Sequence, residues 1–533
     1  MSALESRVPL SIGTAVLVDL MDRIAPLAEH VVTTGAARRS GLRYADVRVE
    51  IGESRYGVAE AGAARSTGDA ATLAVGVRVL AGDHAVAAGH VGRALGAADL
   101  AALPAILDDL LDQAHRRARA NADHKAAARG KYGPLGHSLA DTRLAPVRVH
   151  RARIPAVFAV DPREVSLAAV ASFAAEVSRQ VRSVSPRIAH DSISVVTRLS
   201  REIFASSEGA LIDQAFAFTQ GGCFVVATGE DSSQELWDVV GHQRGWEILT
   251  DGVGDPLLAF PPFPAFACEL AREAVELAAA PVLPTSDRPV TVVTDPHYNA
   301  LLAHEIIGHP VELDRGLKME TAYAGRSWLL GDLEKTELGR AVASPLVSAY
   351  SDPALPGYGH YAYDHEGTPG RRIDHIEGGV FTGFMNSRQT AAILGGTPNG
   401  HFTATDAALV PLVRMSTTVF AKGDRHPADI VGEVDRGYYL MGHRIPSIAE
   451  SRENFRISAR RVYAIEGGQI TRLYRNGGIA ADSRDYLMHV DAVGSDFRLY
   501  PIPNCGKGQP MQTRALGNGG PTMRSRARIT GGR

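Results

Sequence analysis

The sequence predicts an α+β protein: an N-terminal antiparallel sheet with covering helices, followed by a mainly β C-terminal domain that carries one short His- and Glu-bearing helix. Three patterns predict it. Apolar residues recur at helical spacing over residues 13–34 and 103–119. Between them, residues 44–51 and 72–80 alternate apolar and polar as half-buried strands do. Beyond about residue 285 the chain becomes mostly short strand-like runs separated by glycine turns.

In order, the first helix carries Val16, Leu17, Leu20, Ile24, Leu27 and Val31 on one face. The strands over 44–51 and 72–80 follow. Gly82-Asp83 turns the chain into a third strand over 85–89. The helix over 103–119 then closes an N-terminal α+β domain, residues 1–120, in which helices cover one face of the sheet. Residues 121–155, rich in Ala, Lys and Arg with Gly130, Gly133, Pro134 and Gly136, read as a linker or exposed excursion. A middle α+β region, 156–284, holds a helix over 163–181, four strand runs (192–198, 201–206, 210–219, 223–228) and a helix over 265–280. Cys223 and Cys268 fall on these elements and read as packed thiols. The C-terminal domain, 285–533, opens with a buried strand at 290–295 and a helix starting near Asn299.

Composition narrows the function classes. Of 533 residues, 45% are hydrophobic and 22% charged, ordinary for a globular protein, and a net charge of -3 gives no electrostatic case for direct nucleic-acid binding. Three cysteines exclude a disulfide framework. The N-terminal stretch, interrupted by Asp19, Asp22 and Arg23, has no leader pattern, and no run reaches the roughly 20 apolar residues of a membrane span. A cytoplasmic location without membrane contact is the expectation.

Chemistry concentrates in His304-Glu305-Ile306-Ile307-Gly308-His309-Pro310, followed by Glu312 and Asp314. Two imidazoles with a carboxylate beside the first are the vocabulary of a hydrolytic metal site. On a regular α-helix residues five apart diverge by about 140°. The backbone is therefore expected to break or widen between Glu305 and His309, through the freedom of Gly308, through Pro310 disfavouring the helical region for His309, or as a π-type turn. A catalytic zinc takes three protein ligands and leaves one position open. Candidates for the third are Cys505, in the glycine-rich 503–509 stretch expected as a loop, Glu312 and Asp314. Lys507 is expected to favour the Cys505 thiolate. Glu305 stands where a general base would act on the attacking water. Glu312 or Asp314 would orient a ligand imidazole. Arg414, Arg452 and Asn454 are candidates for holding a substrate carboxylate or backbone. His360, His365, His375, His401 and His443 lack ligand spacing and read as structural or exposed.

The run from Ala303 to Asp314 resembles the signature of the TldD/PmbA family of metallopeptidases. Further stretches resemble that family in its order: Gly76-Val77-Arg78-Val79-Leu80, Asp364-His365-Glu366-Gly367-Thr368-Pro369, residues 402–415, Arg452-Glu453-Asn454-Phe455, Cys505-Gly506-Lys507 and Gly517-Asn518-Gly519-Gly520-Pro521. The resemblance is weakest between about 120 and 190, and the stretch after Cys505 is one residue shorter than the family pattern. It implies that His304, His309 and Cys505 bind one Zn2+ per chain, as in the branch that keeps its ligands. It implies cleavage of unfolded or modified peptides entering a closed chamber as extended strands. The implied assembly is a homodimer or a heterodimer with a metal-less paralogue. Two other readings share the residues: a metal-dependent amidase or deacylase on a small biosynthetic substrate, and a non-catalytic regulatory partner, as the family's older association with DNA gyrase control suggests.

Overall fold

The computed structural model describes residues 21–133, 139–320, 325–331 and 335–531. Of the helix expected over 13–34, the part with Val16, Leu17 and Leu20 lies outside the described residues. The rest forms α1, Met21–His30, which runs into a π turn at Val31–Gly35 and buries Ile24, Ala28 and Val31.

Seven strands build the first sheet: β1 (Leu42–Glu60), β2 (Ala63–Ala81), β3 (Ala87–Leu95), β4 (Arg151–Ile154), β5 (Ile188–Ser206), β6 (Leu211–Thr228) and β7 (Ser233–His242). The order is β3-β2-β1-β5-β6, and β4 and β7 both pair with β6, β4 in parallel at 211–214 and β7 antiparallel at 219–228. Strands from either side of residues 121–155 thus share one sheet, joined where β1 pairs β5 over fourteen residues from Asp46↔Ser206 to Ala59↔Ile193. The strands are longer than the alternating runs in the sequence. Residues 63–70 of β2 are exposed or half-buried while 73–81 are buried, and only the covered half needs an apolar pattern. The four runs over 192–228 are likewise two continuous strands, β5 and β6.

Helices α2 (Leu103–Tyr132) and α3 (Leu167–Ser183) cover the sheet, α2 through Leu103, Leu107, Leu110 and Leu111, α3 through Val170, Ala174, Val177 and Val181. Residues 121–132, expected as linker, continue α2, because Ala, Lys and Arg are strong helix formers. Residues 139–150 run on without regular structure but are tied down, Thr142 N–H donating to Val86 O and Ala145 N–H to Arg388 O, both at 2.9 Å.

The C-terminal region is mainly β. Strands Val290–Thr294, Arg436–Ile448, Asn454–Glu466, Gly477–Asp482 and Met523–Gly531 pair in that order, and the last returns to the first, closing a small barrel. A six-stranded sheet ends on Thr417–Phe420, Gln512–Gly520 and, at its edge, Arg498–Lys507. Its neighbouring loops dock on the first sheet. Buried Arg78 pairs with Asp46 and, at 2.8 Å, with Glu366, and His365 donates from Nε2 to Glu202 (3.1 Å) while Nδ1 accepts from Ala404 N–H (3.0 Å) and Arg48 (3.2 Å). Cβ atoms on Gly76 and Gly92 would meet the carbonyl oxygens of Ala407 and Ala408 at 2.0 and 1.6 Å, so β2 and β3 need glycine where that loop crosses them. Among the described residues no helix is long and apolar enough to cross a membrane.

Candidate metal centre

The site begins at the end of Val290–Thr294. Asp295 caps the next helix, its carboxylate accepting from Tyr298 N–H at 2.7 Å, and Pro296 fills the first turn, where a missing N–H costs nothing. This helix, Pro296–Leu302, is locked to the barrel by the Tyr298 hydroxyl, which donates to Ile457 O at 2.8 Å. From Ala303 to Gly308 it widens into a π-helix, with His309 N–H donating to His304 O at 3.2 Å. The widening differs in cause from two of the routes considered above. His309 keeps helical angles, φ -67° and ψ -43°, despite Pro310, and Gly308 serves a close approach: a Cβ there would lie 2.0 Å from Met415 Sδ.

The wide turn sets the His304 and His309 rings 4.7 Å apart at 87°. Opposite them stands Cys505, not in a loop but near the end of the strand Arg498–Lys507, beyond a bulge between Ile502 and Cys505 that contains Pro503. One donor atom from each of His304, His309 and Cys505 lies within 4.8 Å of the others, and all three residues are buried.

Partners behind the rings set their direction. His304 Nδ1–H donates to Asn518 Oδ1 at 3.0 Å, the amide being oriented by its own Nδ2–H to Thr418 O at 2.8 Å. His309 Nδ1–H donates to Glu312 Oε2 at 3.1 Å. Both rings thus keep Nε2 for the shared space, and His309 Nε2 lies 3.7 Å from Cys505 Sγ. Burial opposes charge on the thiol, but His304, His309 and Arg414 outweigh it and hold Cys505 well below the usual thiol range. Burial likewise opposes charge on His304, yet the thiolate, Glu305 and Asn518 raise it to about 9. The donor set fits a zinc ion: bond lengths of about 2.1 Å to nitrogen and 2.3 Å to sulfur in a tetrahedron separate ligands by roughly 3.6 Å, and thiolate favours zinc over hard cations.

The other expected residues take varied places. Glu305 is buried and receives a charged hydrogen bond from Arg452 Nη1. Arg452 itself sits at φ +66°, with Ser483 Oγ donating to its carbonyl at 2.6 Å. Arg414, expected at substrate, is fully buried and donates to Cys505 O at 2.5 Å and Gln512 O at 3.1 Å, so it braces the Cys505 hairpin. Asn454 is exposed at the start of its strand. Asp314 touches no ligand ring. It accepts from Lys507 Nζ (2.6 Å) and Val413 N–H (3.1 Å). Lys507 is accordingly committed to Asp314, Val413 O and Glu312, not to the thiol. His365, His375 and His401 are buried and hydrogen-bonded, His360 is exposed, and His443 packs on His297 at 4.6 Å. Asn518 and Arg315 had no assigned role in the sequence reading. Arg315 donates to Glu312 at 2.6 Å, and only the Gly517–Pro521 motif pointed toward Asn518.

The family model for the PmbA/TldA metallopeptidase C-terminal domain matches residues 287–531, and that for the central domain matches residues 160–280. A protein of Methanothermobacter thermautotrophicus named metalloprotease is 32% identical over 340 residues, 64% of this chain and 69% of that protein. A zinc metalloprotease TldD homolog of Saccharolobus solfataricus is 24% identical over 359 residues, 67% of this chain and 74% of the relative. In fold, the crystal structure of TldE from Thermococcus kodakarensis matches with a TM-score of 0.66 at 16% identity, over 96% of this chain and 99% of that one.

Proposed function

The chain belongs to the TldD/PmbA family of metallopeptidases, and from that premise we propose that it is a zinc-dependent peptidase in which His304, His309 and Cys505 hold the ion and Glu305 moves the proton. The observation that carries this reading is the buried convergence of two imidazoles and a thiol within 4.8 Å. When bound there, the ion supplies Lewis-acid polarisation of the scissile carbonyl and lowers the pKa of water.

The chain's own residues do the rest. Asn518 and Glu312 hold the two rings as Nδ1–H tautomers, keeping the Nε2 lone pairs aimed at the ion's place. Glu305 takes the proton of the attacking water and delivers it to the leaving amine, with Arg452 fixing the carboxylate's direction. The Cys505 strand lies at the edge of its sheet, which supports an extended peptide as the substrate, added as a further strand. A dimer, with itself or with a metal-less paralogue, belongs to the same reading and is read by light scattering.

Metal analysis with a cleavage assay tests the proposal. Purified protein is expected to hold about one zinc per chain and to cut an unfolded protein such as reduced casein. His304→Ala and Cys505→Ala should lose both metal and cleavage. Wild-type protein without stoichiometric metal would sink the reading.

A further inference from the structure

A cavity of about 310 Å3 lies between the first sheet and the hairpin that carries Cys505, with Pro503 and Arg514 in its wall. Arg514 is the cross-strand partner of Cys505, so the cavity and that candidate ligand share one hairpin. Its lining has two characters. Phe218 and Tyr358 stack at 4.5 Å and form an apolar wall. Glu50 and Glu202 occupy directly paired positions on β1 and β5 and place two carboxyl groups side by side.

The two acids are not equally provided for. Glu202 accepts from His365, whereas Glu50, only 8% exposed, makes neither a hydrogen bond nor an ion pair among the described residues. Two guanidinium groups also line the space and offset part of the charge of both acids without hydrogen-bonding Glu50: Arg198, 5.4 Å from the Phe218 ring centre, and Arg514, which donates to Ala404 O at 3.1 Å. Burial, with Glu202 beside it, pushes Glu50 up to about 8. A cation brought close would relieve both the burial and the like-charge pairing. An apolar aromatic wall beside a buried acid suits a long aliphatic stem ending in a positive charge.

We propose that this cavity is a subsite for a lysine or arginine side chain of the bound peptide, with the stem along Phe218 and Tyr358 and the cationic head on Glu50. The inference rests on a peptide being the substrate.

The test uses full-length zinc-loaded protein and fluorescein-labelled, C-terminally amidated hexapeptides carrying lysine, norleucine or glutamate at each position in turn. Affinity is read by fluorescence anisotropy and cleavage by chromatography. At one position lysine should bind on the order of tenfold tighter than norleucine, and Glu50→Gln should bring that ratio near one. Phe218→Leu, which leaves the acid in place, should cut the preference severalfold and serves if Glu50→Gln does not fold. Equal affinities at every position, a preference for glutamate, or a lysine preference unchanged in both variants overturns the subsite. A Glu50-dependent lysine preference without any cleavage keeps the subsite and removes the peptidase reading.

Discussion

The amide of His309 donates to the carbonyl of His304, five residues back, at 3.2 Å. On a regular helix these side chains would point about 140° apart. Closing the turn on the fifth residue brings both rings to one side, 4.7 Å apart. Gly308 lets Met415 press against this turn, and Met415 is buried. Gly308→Ala should therefore overpack the site and cost about 1–3 kcal/mol in urea unfolding, with zinc content falling alongside. Shortening the intruding side chain in Gly308→Ala/Met415→Ala should restore part of the metal content. A single variant with wild-type stability and zinc would show that the turn does not depend on this contact.

Glu305 and Arg452 form the second coupled pair. If Glu305 handles the proton, Glu305→Gln should keep its zinc and lower kcat by about 10²–10⁴-fold, because the amide preserves shape and removes the base. Arg452→Gln should also keep zinc and lower kcat less severely, since it removes only the group that aims the carboxylate. Measuring metal content and steady-state kinetics on the same preparations separates chemistry from site collapse. Wild-type turnover in Glu305→Gln would remove it from the mechanism.

The parts of this architecture legible in sequence are those whose signals are local. Helical periodicity marked α2 as far as residue 119, and alternation marked the covered halves of β1 and β2. The His–Glu motif with its extra residue already required the helix to break or widen if both rings were to share one ion, because spacing alone fixes how far apart two side chains point on a helix. What the sequence hid was partnership over distance. Nothing near residue 50 says that β1 will pair with β5 some 150 residues on, and no apolar pattern marks strand halves that no helix covers. The same holds at the site. Lys507 lies two residues from Cys505, yet a strand sends its side chain to Asp314 and Glu312. Arg414 looked like a substrate ligand because a buried arginine bracing two carbonyls carries no sequence mark of its burial.

Glu312 is the hub behind His309. Fully buried, it accepts from His309 Nδ1, from Arg315 at 2.6 Å and lies 3.3 Å from Lys507 Nζ. Burial disfavours its charge, but Lys507, Arg315 and His309 together hold it well below the usual carboxylate range. Glu312→Gln keeps an acceptor for the imidazole but strips the charge that balances two buried cations. Zinc affinity, measured by chelator competition, should fall about 10–100-fold, and urea unfolding should show a loss of about 3–5 kcal/mol. Unchanged affinity alongside lost stability would make Glu312 a packing residue and not an orienting one.

Zinc uptake should depend on pH through His304. Without metal this imidazole keeps its proton up to about pH 9, since the Cys505 thiolate and Glu305 outweigh the burial that opposes it. Cys505 is held well below its ordinary range by His304, His309 and Arg414 against the burial that opposes its charge. A zinc ligand must be the neutral ring, so below pH 9 each binding event expels one proton from His304. Raising the pH removes that proton in advance. Apparent affinity should therefore climb about tenfold per pH unit between 7 and 8.5 and level off above 9. Calorimetric titrations at pH 7.5 in buffers of different ionisation enthalpy should report about one proton released per zinc. In Asn518→Leu, where His304 loses the partner on Nδ1, affinity should drop while the pH slope persists. An affinity flat from pH 6.5 to 8.5 in the wild type would argue that His304 is not a ligand.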